Sequence, residues 1–507
     1  RFGTGRVERA SFYMKDPAQG TISGTPVHAA SRSAEDVGSQ DDIFVFVADG
    51  TVQRFLGATP TDVSPPTTAL SPPALAPTSV NVNGVVYYNR PDTTPIYFAP
   101  GAATFADLPD WGTSTYCRAL RTFGGYLLAL NVTKSGGNFP TMVKWSTETT
   151  YGNPPDSWAI GDPTKNSGET VIPWGKSGFV DGAELGGVFF LYTIDGVTRM
   201  RLTGTNSIFA FEQFLPEGYG ILDTNCVVAA SGRHFVFGAS DIYVHDGIQP
   251  QSIAQGRVLN YILSRLDYSS KSSAFVFHYP EASEVWFCYP STGSECAVSA
   301  PSACNEAAVY NYATGSWGFV DLPDAICTVR GNYFTSQTWD SVAAGIGWDD
   351  FSGTWASVES DPRRFPILLS AGVEGAGPHL YPTTSPNLAP SLGLSLDHEA
   401  LFPFHLERTG LDLDDMGAPI ATYWALSAIW PQIRPAHDAV TFTAGSSLGT
   451  DDDPLWSVTQ NLYPEEPDHR VDVLADGRYA AIRVEGSGAV SFRFTGYDLQ
   501  LAELGMR

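Results

Sequence analysis

Residues 233–247 read Arg-His-Phe-Val-Phe-Gly-Ala-Ser-Asp-Ile-Tyr-Val-His-Asp-Gly. Two runs rich in β-branched and aromatic residues flank a short stretch of small and polar residues. Branched and aromatic side chains suit a pleated strand, whereas Gly, Ser and Asp suit a tight turn. The stretch therefore predicts a strand, a turn and a second strand that folds back on the first.

The same unit recurs along the chain with different residues. Comparable pairs of strand-forming runs occupy residues 41–55, 83–98, 124–145, 187–202 and 284–312, and the first pair is split by Asp49-Gly50, a strong hairpin signal. Between residues 80 and 360 the units begin roughly every 40 to 50 residues, a period typical of four-stranded blades arranged around an axis. This spacing predicts a β-propeller-like domain.

The composition favours an all-β fold. A chain of 507 residues is too long for one compact core and should divide into two or three units. Aromatic residues make up 12% and charged residues only 16%, while 50 Gly and 36 Pro favour short strands joined by tight turns. The convincing helical pattern is limited to residues 255–266, where apolar residues recur at helical spacing.

Four segments are predicted. Residues 1–58 form N-terminal β hairpins, and the Pro-, Ser- and Thr-rich residues 59–79 form a connecting arm. Residues 80–394 form the β-propeller-like domain, and residues 395–507 form an additional antiparallel β-sandwich or platform domain. In that last segment Ile482 and Val484 alternate with charged residues, as in a strand with one buried and one wet face.

The charge excludes a nucleic-acid-binding groove. The chain carries 29 Lys and Arg against 54 Asp and Glu, for a net charge of −25. A protein that holds DNA must line phosphates with cations, and no run of Lys or Arg is present. No apolar run approaches 18 residues, so no membrane-spanning segment is expected, and the polar start of the chain does not resemble a signal peptide.

The sequence predicts no metal and no cofactor. The six cysteines form no CxxC pair, and the nine histidines have no ligand spacing. Cys296 and Cys304 flank a Ser/Ala/Pro loop and allow a local disulfide, but in a chain of this size buried free thiols are the favoured interpretation. Two acidic clusters could offer oxygens to Ca²⁺, but they lack the spacing of a calcium loop. They are interpreted as acidic loops facing a channel or a partner, namely Asp412, Asp414, Asp415, Asp451, Asp452 and Asp453.

No catalytic residues are predicted. The GxSxG elbow, the phosphate-binding loop and GxGxxG before a helix are all missing from the sequence. Residues 311–317 and 350–355 faintly resemble the Asp-box hairpins of sialidases, although they lack the Ser-x-Asp-x-Gly order. The alternative functions are therefore a propeller glycosidase or depolymerase, which needs paired carboxylates, and a carbohydrate-binding adhesin acting on host surface glycans.

Several segments of the sequence resemble segments of the tail proteins of short-tailed bacteriophages. They lie at residues 233–247, 275–280, 284–290, 304–312, 317–323, 477–483 and 494–499. The resemblance covers residues from about 115 to 507 and points to the tail tube or nozzle protein of the tail tubular protein B type. The same strand and turn sequences also fit a neighbouring tail protein, such as a hub or a fibre dock.

The resemblance implies a virion structural protein and not an enzyme. It implies a homo-oligomer of six copies with propeller domains around a central channel, contacts with upstream tail adaptor proteins, and docking of tail fibres or spikes. Double-stranded DNA would pass through without specific binding. The acidic composition fits this expectation, because a negative lumen repels DNA phosphates and lets the genome slide.

Overall fold

The structure is a computed structural model, and it divides the chain into two compact units. One unit is Phe12–Ser395, and the other combines Arg1–Ser11 with Leu396–Arg507. The residues that the structure describes are 2–3, 6–8, 13–14, 22–33, 41–56, 60–66, 70–162, 164–174, 177–204, 208–215, 217–256, 258–292, 303–331, 364–372, 377–382, 395–396, 404–412, 422–434, 440–449, 452–463, 470–486 and 493–506.

The first unit consists mainly of antiparallel four-stranded sheets, here called blades. Three short strands precede the blades in the sequence. Of these, β1 (Phe2–Gly3) and β2 (Arg6–Glu8) belong to the other unit, and β3 (Tyr13–Met14) belongs to this one. Blade 1 contains β4 (Pro26–Arg32), β5 (Asp42–Val47), β6 (Val52–Phe55) and β7 (Thr61–Asp62). Blade 2 contains β8 (Thr78–Val82), β9 (Val85–Asn89), β10 (Ile96–Phe98) and β11 (Ala106–Asp107). Blade 3 contains β12 (Tyr116–Phe123), β13 (Tyr126–Lys134), β14 (Gly137–Glu148) and β15 (Gly168–Val171).

The next blades follow the same order, from an inner to an outer strand. Blade 4 contains β16 (Asp181–Leu185), β17 (Val188–Tyr192), β18 (Val197–Leu202) and β19 (Phe209–Leu215). Blade 5 contains β20 (Val227–Ala230), β21 (Arg233–Phe237), β22 (Ile242–His245) and β23 (Pro250–Ser252). The helix α1 (Leu259–Arg265) and a 3₁₀ helix (Tyr268–Ser273) lead to the last sheet, and a second 3₁₀ helix (Pro280–Ala282) lies within it.

The last sheet of this unit contains two blades that share one strand. Its strands are β24 (Phe275–Tyr279), β25 (Glu284–Tyr289), β26 (Cys304–Asn311), β27 (Ser316–Gly331), β28 (Phe365–Ser370) and β29 (Leu380–Pro382). The first part of β27 pairs with β26, and from Ala325 onward the strand pairs with β28. We therefore assign β24–β26 and the start of β27 to blade 6, and the end of β27 with β28 and β29 to blade 7.

The seven blades form a closed ring. Successive inner strands contact one another from β4 through β8, β12, β16 and β20 to β24, and β27 returns to β4. At this closure the Ala29 N–H donates to Cys327 Sγ at 3.2 Å, and Ser31 Oγ donates to the Arg330 carbonyl at 2.8 Å. Apolar side chains of blades 1 and 7 share one core, which includes Ile43 and Leu369. The predicted propeller-like domain and the all-β fold are confirmed.

Tight turns join the inner and second strands of blades 2 to 5. Each turn is a two-residue loop in which both residues have positive φ, the conformation that matches the twist of a hairpin. Glycine adopts this conformation without a steric penalty, which explains why it occupies the second position every time. The four dipeptides are Asn83-Gly84, Gly124-Gly125, Gly186-Gly187 and Ser231-Gly232.

Another recurrent turn depends on an aspartate followed two residues later by Ser or Thr. In each case the carboxylate accepts hydrogen bonds from both the backbone N–H and the hydroxyl of the later residue. Such Asx turns satisfy loop backbone groups locally. These hydrogen bonds lower the pKa of Asp62, Asp162 and Asp267. The pairs are Asp49 with Thr51, Asp62 with Ser64, Asp162 with Thr164, and Asp267 with Ser269.

The central strands of the blades are buried on both faces. All residues of β9 and β25 are buried, because each blade packs against a neighbour on either side. Aromatic rings fill much of the space between blades 1 and 2, where Phe44, Phe98 and Phe105 have ring centroids 5.0 to 5.4 Å apart. This arrangement explains why these strands have continuous apolar sequences and do not alternate.

The structure does not keep the predicted N-terminal hairpins, residues 1–58, as a separate segment. Residues 26–62 form blade 1 of the propeller, and residues 1–11 belong to the other unit. The Pro-rich residues 59–79 connect blade 1 to blade 2 and include β7. Their composition indicates a linker, but composition alone does not distinguish a linker between domains from a connection within one ring. The predicted helix at 255–266 is present as the shorter α1.

The second unit is an antiparallel sandwich. Beyond β30 (Ser395–Leu396), its strands are β31 (Phe404–Asp412), β32 (Thr422–Arg434), β33 (Val440–Ser447), β34 (Leu455–Trp456), β35 (Gln460–Leu462), β36 (Val471–Gly477), β37 (Tyr479–Gly486) and β38 (Arg493–Met506). One sheet has the order β1-β2-β38-β32-β36, and the other has β31-β37-β33-β34, with β35 also paired to β33. Ile482 and Val484 are buried between the sheets, as their alternation predicts.

Gly220 offers a direct test of packing inside the propeller. A Cβ atom at this position would lie 1.9 Å from the Ile194 carbonyl oxygen, which belongs to rigid backbone. We expect Gly220→Ala to lower the free energy of unfolding by about 2–3 kcal/mol, because the backbone must move to relieve the overlap. Chemical unfolding followed by tryptophan fluorescence measures this loss.

The matched control for this substitution is Gly377→Ala. A Cβ atom at Gly377 has no neighbour within 4 Å and the residue does not have positive φ. The control should therefore unfold like the wild type. Equal stability of the two variants would contradict the described approach of Gly220 to the Ile194 backbone.

Candidate functional site

The inner strands of the propeller surround a cavity of about 550 Å³. All seven blades contribute residues to its wall through β4, β8, β12, β16, β20, β24 and the end of β27. The polar residues of the lining include His28, Ser31, Asn81, Arg121, Asp181 and Glu184. The cavity therefore lies on the axis of the ring, where side chains from distant parts of the sequence meet.

Arg121 on β12 forms the central ion pair of the cavity wall. Its Nε donates to Asp181 Oδ1 at 2.7 Å and its Nη2 donates to Asp181 Oδ2 at 2.8 Å. The same Nη2 donates to Asn225 Oδ1 at 2.8 Å. Because the three residues belong to blade 3, blade 4 and the segment entering blade 5, this bidentate pair fixes three blades to one another.

The carboxylate of Asp181 is fully occupied by hydrogen bonds. Besides Arg121, it accepts from the backbone N–H groups of Gly182 and Asn225, both at 2.7 Å. Its side chain is only 1% exposed, so the charge depends on these partners for its stability. Asp181 therefore serves to hold the wall together and does not present a free carboxylate to the cavity.

A second arginine of β12 reinforces the same region. Arg118 Nε donates to Thr224 Oγ1 at 3.1 Å, and its guanidinium also pairs with the Asp223 carboxylate. Asp223, Thr224 and Asn225 lie in the segment that leads into β20. Both arginines of blade 3 thus hold the entry to blade 5, and the region around the cavity is rigidly connected.

His28 lies on β4, in blade 1, and also lines the cavity. Its Nε2 is 2.9 Å from Ser79 Oγ, and its ring packs beside Phe46 and Tyr88 at centroid distances of 6.2 and 5.8 Å. Burial, followed by the charge of Arg121, lowers the pKa of His28 to about 3. The imidazole is therefore neutral at physiological pH and contributes a hydrogen-bonding group without charge.

The size and charge of the cavity limit what it can hold. A volume of about 550 Å³ lies within the range of small-molecule sites. Among the lining residues, Arg121 and Asp181 neutralise each other, and Glu184 adds an exposed carboxylate. A double-stranded DNA helix is far too wide for this space. The cavity suits a small polar molecule or ordered water, and any DNA path would have to lie outside a single propeller.

A chain of buried hydrogen bonds extends outward from the cavity wall. His234 Nε2 lies 3.0 Å from the Glu184 carbonyl, and Tyr192 Oη lies 2.7 Å from His234 Nδ1 and 2.6 Å from His245 Nε2. The Gly247 N–H donates to His245 Nδ1 at 3.2 Å. Because a carbonyl can only accept and an N–H can only donate, the protons of the whole chain are fixed in one direction.

Both histidines of this series of hydrogen bonds, His234 and His245, are neutral. His245 Nε2–H donates to Tyr192 Oη, Tyr192 O–H donates to His234 Nδ1, and His234 Nε2–H donates to the Glu184 carbonyl. Burial lowers the pKa of His234 to about 4 and that of His245 to about 3, with the neighbouring His234 as a further cause for His245. A proton added to either imidazole would find no acceptor within this series of hydrogen bonds. The arrangement is therefore stable only when both rings are neutral.

The acidic residues singled out from the sequence do not line the cavity where they are described. Asp452 and Asp453 are exposed in the turn between β33 and β34 of the sandwich. Asp412 ends β31, and Asp414, Asp415 and Asp451 lie outside the described residues. The sequence did not predict the polar residues of the cavity, because they form no local motif. Arg121 is 60 positions from Asp181 and 104 positions from Asn225.

Cysteines and metals add no further site within the described residues. Cys117, Cys226, Cys288, Cys304 and Cys327 are buried free thiols, and burial raises the pKa of Cys327 to about 12. Cys304 is one of these free thiols, whereas Cys296 lies outside the described residues. In the described ranges no group of three or more His, Cys, Asp or Glu could hold a metal ion. No helix in this part of the chain has the length and apolar character needed to cross a membrane.

Comparisons with known proteins show only distant similarity. No family model matches the chain, and no curated protein matches its sequence. A computationally designed protein, Ika8, has a similar structure with a TM-score of 0.37 and 10% identity, over 72% of this chain and 99% of that one.

A natural structural neighbour is similarly distant. The extracellular domain of a hybrid two-component system from B. thetaiotaomicron matches with a TM-score of 0.45 and 9% identity, over 92% of this chain. The present chain spans 58% of the length of that domain. At these values neither likeness carries an argument about function.

Proposed function

We propose that this protein is a structural subunit of a bacteriophage tail, a nozzle or tube component that forms an acidic channel for DNA ejection and docks tail fibres or spikes. The observation that carries the proposal is the extent of the sequence resemblance. The resembling segments at 233–247, 275–280, 284–290, 304–312 and 317–323 lie along successive strands of blades 5 and 6, and those at 477–483 and 494–499 lie in strands of the sandwich. The resemblance therefore spans core strands of both units in order.

The charge supports the same proposal. Each copy carries a net charge of −25, so a ring of copies presents a strongly negative surface to DNA. Phosphates are repelled from such a surface, whereas a basic lining would bind them and slow their passage. Because the cavity of one propeller is too small for a duplex, the conduit in this proposal lies between copies and not within one propeller.

The first test is the mass and shape of the full-length protein in solution. Light scattering and negative-stain images should show a closed ring of about six subunits with a central opening, as point-group symmetry favours for a homo-oligomer. Antibodies against the protein should label the tail of intact virions. A stable monomer that is absent from purified virions would refute the proposal.

A second candidate function rests on the cavity. Its size, and a lining that is mainly apolar with a few polar groups such as Asn81 and Glu184, suit a small ligand, which fits a propeller that binds or hydrolyses host surface glycans. Titration calorimetry with glycans released from the host surface, together with assays of glycan depolymerisation, distinguishes the two functions. Binding or cleavage by a monomeric protein would favour the glycan-directed function over the conduit.

A further inference from the structure

The axial cavity of the propeller is spanned at one end. Asn225 Nδ2 donates to the Pro77 carbonyl at 3.1 Å, and Asn225 Oδ1 accepts from Arg121. Pro77 leads into blade 2 and Asn225 into blade 5, two positions that lie as far apart as a ring of seven blades allows. Because these hydrogen bonds cross the axis, the approach to the cavity is from the other end, at which the inner strands finish.

Polar residues lie at this second end, here called the mouth. Each blade begins with its inner strand, so the inner strands run in the same direction around the axis. Asn81 Nδ2 donates to the Ser31 carbonyl at 3.3 Å, which places both residues at the same level. Three lining residues are the last but one of their inner strands and form the mouth: Ser31, Asn81 and Glu184.

The hydroxyl groups of the lining offer acceptors to a ligand. A hydroxyl has one hydrogen, and three of these groups donate it to backbone carbonyls of the propeller at 2.8 to 3.2 Å. Only their lone pairs remain available to a ligand. The hydrogen bonds run from Ser31 to Arg330, from Thr122 to Tyr126 and from Thr328 to Ile367.

Glu184 carries the uncompensated charge of the mouth. Its side chain is exposed, and within the described part of the chain its carboxylate has no hydrogen bond or ion pair. Two cations of the inner strands are already paired. Arg121 is held by Asp181, and Arg330, at the corresponding position of β27, is 2.6 Å from Glu281. A ligand that enters the mouth therefore meets one free negative charge.

The backbone at Glu184 is held in place by the buried histidines. His234 Nε2–H donates to the Glu184 carbonyl at 3.0 Å, and Tyr192 fixes the other side of that imidazole at 2.7 Å. Successive side chains of a strand point to opposite faces, so Arg233 lies on the face of blade 5 that is turned away from blade 4. A carboxylate on a fixed backbone loses less conformational freedom when it binds a ligand.

An aromatic ring belongs to the same part of the wall. Glu184 and Phe189 are paired across β16 and β17, so their side chains share one face of blade 4. Phe189 also lines the cavity, together with Val86 and Phe275. A carboxylate beside an aromatic and aliphatic wall suits a ligand that combines a positive charge with an apolar body.

We infer that the axial cavity binds a small organic cation, whose ammonium group pairs with the Glu184 carboxylate and whose apolar body lies against Phe189. An ammonium group has donors and no acceptor, which matches the acceptors at the mouth. A small anion would be repelled by Glu184, and a neutral molecule would leave the charge of Glu184 without a partner. This inference concerns a single propeller, so it goes beyond the proposed tail function and does not depend on it.

Probes of one shape measure the charge preference of the cavity. Cyclohexylamine, cyclohexanol and cyclohexanecarboxylate share the same saturated ring and are positive, neutral and negative at neutral pH. Calorimetric titration of the full-length protein should give an affinity for the amine at least about tenfold higher than for the alcohol, because hydrogen bonds to charged groups are the stronger ones. The carboxylate probe should not bind.

Variants locate the binding, because a net charge of −25 attracts any amine weakly. Glu184→Gln keeps the shape of the side chain and removes its charge, so the affinity for cyclohexylamine should fall at least about tenfold while that for cyclohexanol stays the same. The matched control is Glu212→Gln on β19 of the same blade, which removes an exposed carboxylate outside the lining and should bind the amine like the wild type. Glu184→Lys should bind the carboxylate probe more tightly than the amine.

Binding of the amine no tighter than that of the alcohol would overturn the inference, as would a Glu184→Gln variant that binds the amine like the wild type. Equal losses in Glu184→Gln and Glu212→Gln would show only a general attraction by the acidic surface and would overturn it as well. Circular dichroism checks that every variant is folded. None of these results changes the expected mass of the assembly or the labelling of virion tails, so the inference and the proposed function fail separately.

Discussion

Arg121→Met should lower the free energy of unfolding of the propeller by about 3–5 kcal/mol, because it leaves the buried Asp181 carboxylate without its cation. Asp181 is only 1% exposed, and two of its hydrogen bonds come from this guanidinium. Asn225 loses a donor at the same time. Chemical unfolding monitored by tryptophan fluorescence gives the size of the loss.

A surface ion pair supplies the control for this variant. Arg201 and Glu212 are 3.6 Å apart, with side chains 53% and 61% exposed. Arg201→Met should cost less than about 1 kcal/mol, because solvent screens the pair. The double variant Arg121→Met/Asp181→Asn should recover part of the loss, since it removes the unpaired charge. Equal losses for Arg121→Met and Arg201→Met would show that the hydrogen-bond network of Arg121, Asp181 and Asn225 contributes little to stability.

The second large effect is a dependence of stability on pH. In the folded protein the pKa of His245 is about 3 and that of His234 about 4, whereas an unfolded histidine has a pKa near 6.5. At a pH above about 6.5, the pKa of an unfolded histidine, both histidines are neutral in the folded and the unfolded protein, and the folded state has its full stability. As the pH falls below about 6.5, the unfolded chain binds protons that the folded chain does not, so each histidine costs about 1.4 kcal/mol per pH unit.

His245→Gln isolates this effect, because the Gln amide can still donate to Tyr192 but does not titrate. Between about pH 6.5 and about pH 4.5 the variant should lose about 2 kcal/mol less than the wild type loses. The comparison is made within each protein across pH, so a uniform change of stability does not affect it. His379→Gln, in the loop before β29, is the matched control and should keep the wild-type dependence. A parallel decline of wild type and His245→Gln would contradict the neutral hydrogen-bonded chain.

Local sequence signals predicted the local structure well. Asp49-Gly50 marks the hairpin that joins β5 to β6, where Gly50 has positive φ, and the alternation of Ile482 and Val484 identifies a strand with one buried face. The Asx turns carry an equally local signal, Asp followed two residues later by Ser or Thr. The sequence carries that pattern at Asp49, Asp62, Asp162 and Asp267.

The number and closure of the blades could not be predicted in the same way. Blade 7 begins within β27, so no loop separates blades 6 and 7, and Pro323-Asp324 at the boundary lies inside one strand. The Pro-rich segment at 59–79 has the composition of a linker, although it connects two blades. The cavity network has the same difficulty, because Arg121 and Asn225 are 104 positions apart and meet only once the ring has formed.

The contact between β4 and β27 has a consequence for synthesis on the ribosome. Ala29 and Cys327 are 298 positions apart, and translation at roughly 5–20 residues per second separates their appearance by roughly 15 to 60 seconds. During that interval the apolar side of blade 1 that later meets Ile367 and Leu369 has no partner from this chain. The apolar side of blade 1 therefore stays uncovered by this chain until residues 327–369 have been synthesised, and the speed of elongation sets the length of that interval.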